Sequence, residues 1–67
     1  MKNKIRSLRK EKGLRQEDVA NLLGVTRQTI IAIENDKYNP TLELAMRLAR
    51  LLGVTVEEVF ILNDTKE

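Results

Sequence analysis

Arg27 and Gln28 are neighbours in the chain, and Ile31 follows about one helical turn later. A planar guanidinium can donate two hydrogen bonds to O6 and N7 of guanine, and a glutamine amide can pair with N6 and N7 of adenine. An apolar side chain such as Ile31 can press on the methyl group of thymine, but it equally suits a protein contact or simple exposure. Thr26, Thr29, Lys37 and Tyr38 supply hydroxyl and ammonium donors, which fix register on phosphates without reading sequence. Tyr38 has a second role open to it, packing on the following helix, and Asn35 either bonds phosphate or holds its own turn. Together these groups could grip a nucleic-acid duplex at both its base edges and its backbone.

They can act together only if the backbone holds them on one exposed face. From Gln16 to Glu34 the chain reads QEDVANLLGVTRQTIIAIE, two short helical patterns broken by Gly24. Ala20 allows close approach, Gly24 can take a left-handed conformation, and Val19, Leu23, Val25, Ile30 and Ile33 form a sparse apolar seam. Two helices crossing steeply over a short turn need this combination. With Ile30 and Ile33 inward, Arg27, Gln28 and Ile31 fall on or beside the opposite face. In such a helix pair the first turn of the second helix is the part that reaches base edges in a major groove.

Five helices are expected in all. The first spans about Asn3 to Lys12, with Gly13 as its terminator. The second covers Gln16 to Leu23, and the third runs from a Thr26 cap to near Glu34. A loop follows from Asn35 to Pro40. The fourth helix, Thr41 to Leu52, carries Leu44, Ala45, Leu48, Leu51 and Leu52 at three/four spacing, with Gly53 beyond. The fifth opens at Thr55 with a Thr-x-x-Glu capping box ending at Glu58. Val59 to Leu62 have extended character, but helix is the preferred reading there. Residues 64–67 have nothing to bury and are expected to fray. The reading is an all-α, compact five-helix bundle forming a single domain over residues 1–67.

Composition narrows the functional classes. The 67 residues include no Cys and no His, which excludes disulfides and the usual zinc sites. Without those two residue types there is also no ordinary nucleophile–base pair, so neither catalysis nor a metal or other cofactor is expected. Glu57-Glu58 read as helix-start charge. No stretch is apolar enough to span a bilayer or to serve as a secretory signal, which leads to the expectation of a cytoplasmic protein. No small-molecule ligand is evident. Residues 1–37 hold nine Lys/Arg against five Asp/Glu, giving +4, while residues 38–67 hold three against five, giving −2. A basic N-terminal half fits a polyanion partner, and equally an ordinary solvated surface.

The chain resembles the Cro and phage-repressor helix-turn-helix family, also called the Xre family, through LRQEDVANLLGVTRQTIIAIE, NDKYNPTLELA and LARLLGVTVEEVF. The resemblance runs from about Lys4 to Phe60. It implies a phage-repressor-like bundle, a homodimer on double-stranded DNA, and transcriptional regulation, more often repression. It also implies that Gln16 binds the DNA backbone from the start of the second helix, where free N–H groups favour phosphate. By the same resemblance Arg9 and Glu34 form a structural ion pair that ties the first helix to the end of the third. Three positions depart from the family pattern. Arg15 replaces a capping Ser or Thr, leaving a weaker cap or an added phosphate contact. Asp36 stands where glycine is frequent, and Ile31 where a polar residue is usual.

A domain this small buries a limited share of its surface, and oligomerisation is the aid its composition leaves open. Leu51, Leu52, Val54, Phe60, Ile61 and Leu62 look surplus to the core and are expected to form a symmetric contact over residues 54–62. The alternative is that the tail folds back over its own domain. Two other functional readings stand beside the regulator. One is an antitoxin-type DNA-binding protein with a protein partner, for which the tail leaves little length. The other is an interaction module that has lost DNA binding.

Overall fold

Five helices and one pair of very short strands build the protein, seen here in a computed structural model that describes residues 1–62. In chain order these are β1 (Lys2–Asn3), α1 (Ile5–Glu11), α2 (Gln16–Leu23), α3 (Arg27–Glu34), α4 (Leu42–Leu52), α5 (Val56–Val59) and β2 (Phe60–Ile61). The expected fraying of residues 64–67 lies outside the described residues. No described helix is long and apolar enough to cross a membrane.

One core forms where the apolar stripes of all five helices meet. Ile5, Val19, Ile30, Ile33, Leu48 and Val59 are its fully buried side chains. Ala20, Ala45 and Ala49 are buried beside them, and these small residues let the helix backbones come close. On α4 the buried positions Ala45, Leu48, Ala49 and Leu52 recur at three/four spacing, so one stripe faces inward.

The helix ends obey one backbone rule four times. After α1, α2, α3 and α4 a residue with positive φ closes the turn: Gly13, Gly24, Asp36 and Gly53. In each case the next N–H bonds back to a carbonyl of the last helical turn: Leu14 to Arg9, Val25 to Ala20, Lys37 to Ala32, Val54 to Ala49. This six-to-one closure satisfies a carbonyl that would otherwise be orphaned. Glycine takes the left-handed geometry freely; Asp36, at φ 61°, takes it against its Cβ. The departure noted at Asp36 therefore has a physical counterpart in the backbone.

Two sequence expectations change. Helix α1 starts at Ile5 rather than Asn3, because Lys2 and Asn3 pair antiparallel with Ile61 and Phe60. The extended alternative for the end of the chain is the one adopted: α5 stops at Val59, and Phe60 has β dihedrals of −109° and 131°. The ladder is extended by Lys4 N–H donating to the Val59 carbonyl at 2.8 Å. Second, Leu52 and Phe60, expected at a subunit contact, are core residues of their own chain, 3% and 7% exposed. The strand geometry turns Phe60 inward and Ile61 outward, and Leu62, beyond the strand, is also exposed. Leu51 and Val54 are partly buried against the same core.

Candidate nucleic-acid interface

Helix α3 is positioned from both ends. At its start Thr26 is the cap, its hydroxyl accepting from Thr29 N–H at 3.2 Å and lying 3.0 Å from the Thr29 hydroxyl. At its end Glu34 is held by three other side chains. Arg9 donates from Nε to Oε2 at 2.8 Å and from Nη2 to Oε1 at 3.2 Å, a two-pronged pair. Gln16 donates from Nε2 to Oε1 at 3.1 Å, and Arg6 Nε lies 3.6 Å from the same oxygen. The Glu34 carboxylate is 1% exposed and the Arg9 side chain 9%, so this is a buried pair whose carboxylate accepts three hydrogen bonds. Arg9 also donates to the Leu14 carbonyl at 3.1 Å. One guanidinium thus ties α1 to the turn before α2 and to the last residue of α3.

A further bond holds the α3 terminus. Asn3 donates from Nδ2 to the Ile33 carbonyl at 2.9 Å and to Asp36 Oδ1 at 3.3 Å, while its own Oδ1 accepts from Ile5 N–H. Asn3 is therefore both the stop before α1 and a brace on α3.

Held this way, α3 keeps Ile30 and Ile33 in the core and leaves Arg27 and Gln28 exposed in its first turn. Ile31 is half-buried rather than free. Thr26, Asn35 and Lys37 are exposed, Thr29 is half-buried, and Tyr38 is 45% exposed, so its ring does not vanish against α4.

Helix α2 begins without the usual hydroxyl cap. Arg15 occupies the cap position and has no acceptor to offer. The reciprocal half of a capping box survives: Asp18 Oδ2 accepts from Arg15 N–H at 2.8 Å. The Arg15 guanidinium also grips the carboxylate, at 3.2 and 3.1 Å. That hydrogen bond, more than charge alone, holds the Asp18 carboxyl below its ordinary range and the Arg15 guanidinium above its own.

Between α1 and the starts of α2 and α3 lies an open concavity of about 540 Å³, lined by Arg6, Arg9, Lys10, Arg15, Gln16, Glu17 and Arg27. Of its five cations, Arg9 is paired with Glu34 and Arg15 with Asp18, Arg6 lies 3.6 Å from Glu34, and Lys10 and Arg27 make no ion pair among the described residues. Arg27 belongs both to this basin and to the exposed face of α3. Arg6 and Lys10 were missed as candidate contacts in the sequence. Their signal was the RSLRK spacing, which places Arg6 and Lys10 four apart on the side of α1 shared with Arg9. Gln16 in turn has a structural bond to Glu34 that its residue type alone did not announce.

A short-helix bundle that braces one helix at both ends and leaves its outer face open beside a basic concavity defines a helix-turn-helix protein. The chain belongs to the Helix-turn-helix family, whose model matches residues 5–59. It is 53% identical over 64 residues to an uncharacterized HTH-type transcriptional regulator of Methanocaldococcus jannaschii, covering 96% of this chain and 97% of that one. It is 41% identical over 63 residues to the cryptic phage CTXphi transcriptional repressor RstR of Vibrio cholerae, covering 94% of this chain and 57% of the repressor. Among solved structures, the restriction-modification controller protein C.AhdI from Aeromonas hydrophila superposes with a TM-score of 0.75 at 36% identity, covering 84% of this chain and 85% of that one.

Proposed function

We propose that the protein is a sequence-specific, double-stranded DNA-binding transcriptional regulator that acts in the cytoplasm as a homodimer on a palindromic operator. Arg27, Gln28 and Ile31 read base edges in the major groove. Arg15, Gln16, Thr26, Thr29, Asn35, Lys37 and Tyr38 hold the backbone, and Arg6 and Lys10 extend that grip onto α1. Arg9 and Glu34 set the attitude of α3 rather than touching DNA. Repression follows by occupancy: a bound dimer obstructs polymerase.

The observation that carries this reading is the continuity of charge around Arg27. The first turn of the exposed α3 face opens into the cationic basin of Arg6, Lys10 and Arg15. Base-reading side chains work only when flanking phosphates are held at the same time. The relatives named as transcriptional regulators support the same conclusion. Titrating the protein with a mixed-sequence duplex at increasing salt tests it. Affinity should fall steeply, by counterion release; a nearly flat response between dilute and physiological buffer would remove DNA as the ligand.

A further inference from the structure

The turn that leaves α3 carries Asn35, Lys37 and Tyr38, all exposed. Among them stands Asp36 at φ 61°, a left-handed conformation that an L side chain adopts against its Cβ. Such a residue keeps its conformation only where its surroundings over-determine it. The local backbone supplies part of that constraint: Asp36 N–H donates to the Ile33 carbonyl at 3.1 Å and Lys37 N–H to the Ala32 carbonyl at 2.9 Å. A side chain from the far end of the chain supplies the rest. Asn3 Nδ2 donates to the same Ile33 carbonyl at 2.9 Å and to Asp36 Oδ1 at 3.3 Å, across 30 and 33 residues of sequence. The amide thus has an acceptor for each of its two hydrogens, and its Oδ1 accepts from Ile5 N–H at 3.1 Å. Asn3 is itself pinned, because its backbone pairs with Phe60, whose ring lies in the core.

We infer that Asn3 is a positioning residue for DNA binding: through the Ile33 carbonyl and Asp36 it holds the turn from which Lys37 meets a phosphate. The inference rests on the DNA reading above and adds a residue outside its contact set. Asn3 is half-buried and spends its amide on its own chain, so it acts through the turn and not by touching the duplex. A cation on a turn already ordered loses less freedom on binding than one on a loose turn, and so binds more tightly. The effect is confined to one end of α3. Arg27 and Gln28 sit at the other end, where the Thr26 cap and the buried Ile30 fix the helix. Losing the Asn3 amide therefore slackens the phosphate grip and leaves base reading in place. The pairing of Lys2–Asn3 with Phe60–Ile61 acquires a purpose in this way, since it sets the clamp that shapes the DNA-facing turn.

Asn3→Ser isolates the clamp, because a hydroxyl still offers Ile5 N–H an acceptor while both amide donors are gone. The whole chain, Asn3→Ser, Lys37→Ala and the double variant are titrated with a duplex selected by the wild-type chain, at several salt concentrations. Asn3→Ser should weaken binding about fivefold at physiological salt and lower the log–log salt slope by about 0.9, as Lys37→Ala does. Its discrimination among single-base variants at the Gln28 position should stay within about twofold of the parent. In the Lys37→Ala background, Asn3→Ser should have almost no further effect, since the contact it positions is already absent. If Asn3→Ser fails to fold, Asn3→Thr takes its place in the same cycle, its β-branched side chain being suited to β1. A purely structural Asn3 would lower the melting temperature, leave the salt slope at the wild-type value, and add in full to Lys37→Ala. Either that unchanged slope or that full additivity, beside a wild-type chain that binds, overturns the inference alone. A wild-type chain that binds no duplex ends the DNA reading and takes this inference with it.

Discussion

Gln16 Nε2 donates to Glu34 Oε1 at 3.1 Å, joining the first residue of α2 to the last residue of α3 across the helix pair. With the Arg9 fork on the same carboxylate, the angle between the two helices is fixed by polar groups as well as by the apolar seam. Breaking a buried charged pair by removing one partner leaves the other charge uncompensated, at a cost of about 3 kcal/mol or more. Glu34→Gln should therefore lower the melting temperature and DNA affinity together. Loss of affinity with an unchanged melt would mean that Glu34 meets DNA directly.

Asp36 and Gly24 separate backbone strain from steric fit. Both have positive φ, at 61° and 72°. Asp36→Gly removes a Cβ penalty and one long, exposed contact to Asn3, so stability should rise by about 0.5 kcal/mol. Gly24→Ala should cost about 1 kcal/mol although nothing lies within 4 Å of the added methyl group. Thermal melts of the two variants should move in opposite directions. A fall for Asp36→Gly would show that the Asn3 contact outweighs the strain.

The Arg15–Asp18 pair gives a pH dependence of known sign. The Asp18 carboxyl is held below its ordinary range, first by the Arg15 guanidinium and then by the Arg15 N–H. Its contribution to stability is present above the unfolded-state pKa of about 3.9 and disappears as pH falls through the lower folded value. Asp18→Asn should flatten that acid limb and leave stability near pH 7 to 9 parallel to the parent. An acid limb of unchanged steepness would show that the pair does not hold the helix start in solution.

Base and backbone contacts should respond differently to truncation. Gln28→Ala should cost about 1–3 kcal/mol at its own base pair and relax preference there. Lys10→Ala should weaken binding to all duplexes alike and lower the log–log salt slope by about 0.9. Competition binding against single-base variants, at two salt concentrations, distinguishes the two. A sequence-specific effect of Lys10→Ala would move it from the backbone to the groove.

Local signals in the sequence were enough for helices α2 to α4 and for the start of α5. Thr26, Thr41 and Thr55 each accept the bond expected of a cap, and Gly24 and Gly53 end their helices. The exposure of Arg27 and Gln28 followed from the inward turn of Ile30 and Ile33. Pairings distant in sequence were beyond such signals. The two-residue strands carry no period to read, and their partners lie at opposite ends of the chain. Asn3 was the available clue, a residue type favoured just before a helix, which places the α1 start after it. Surplus apolar residues could be counted but not located: Phe60 turns inward only because α5 ends in strand geometry. Leu42 and Met46 lie outside the apolar stripe of α4 and are exposed.

The central claim is that two copies of α3 present Arg27 and Gln28 to one duplex. Selection of bound sites from a random duplex library tests it most directly. The account predicts enrichment of an inverted repeat with half-site centres about 34–36 Å apart, lost on replacing Gln28 with Ala. Recovery of no symmetric sequence above the unselected background would contradict it.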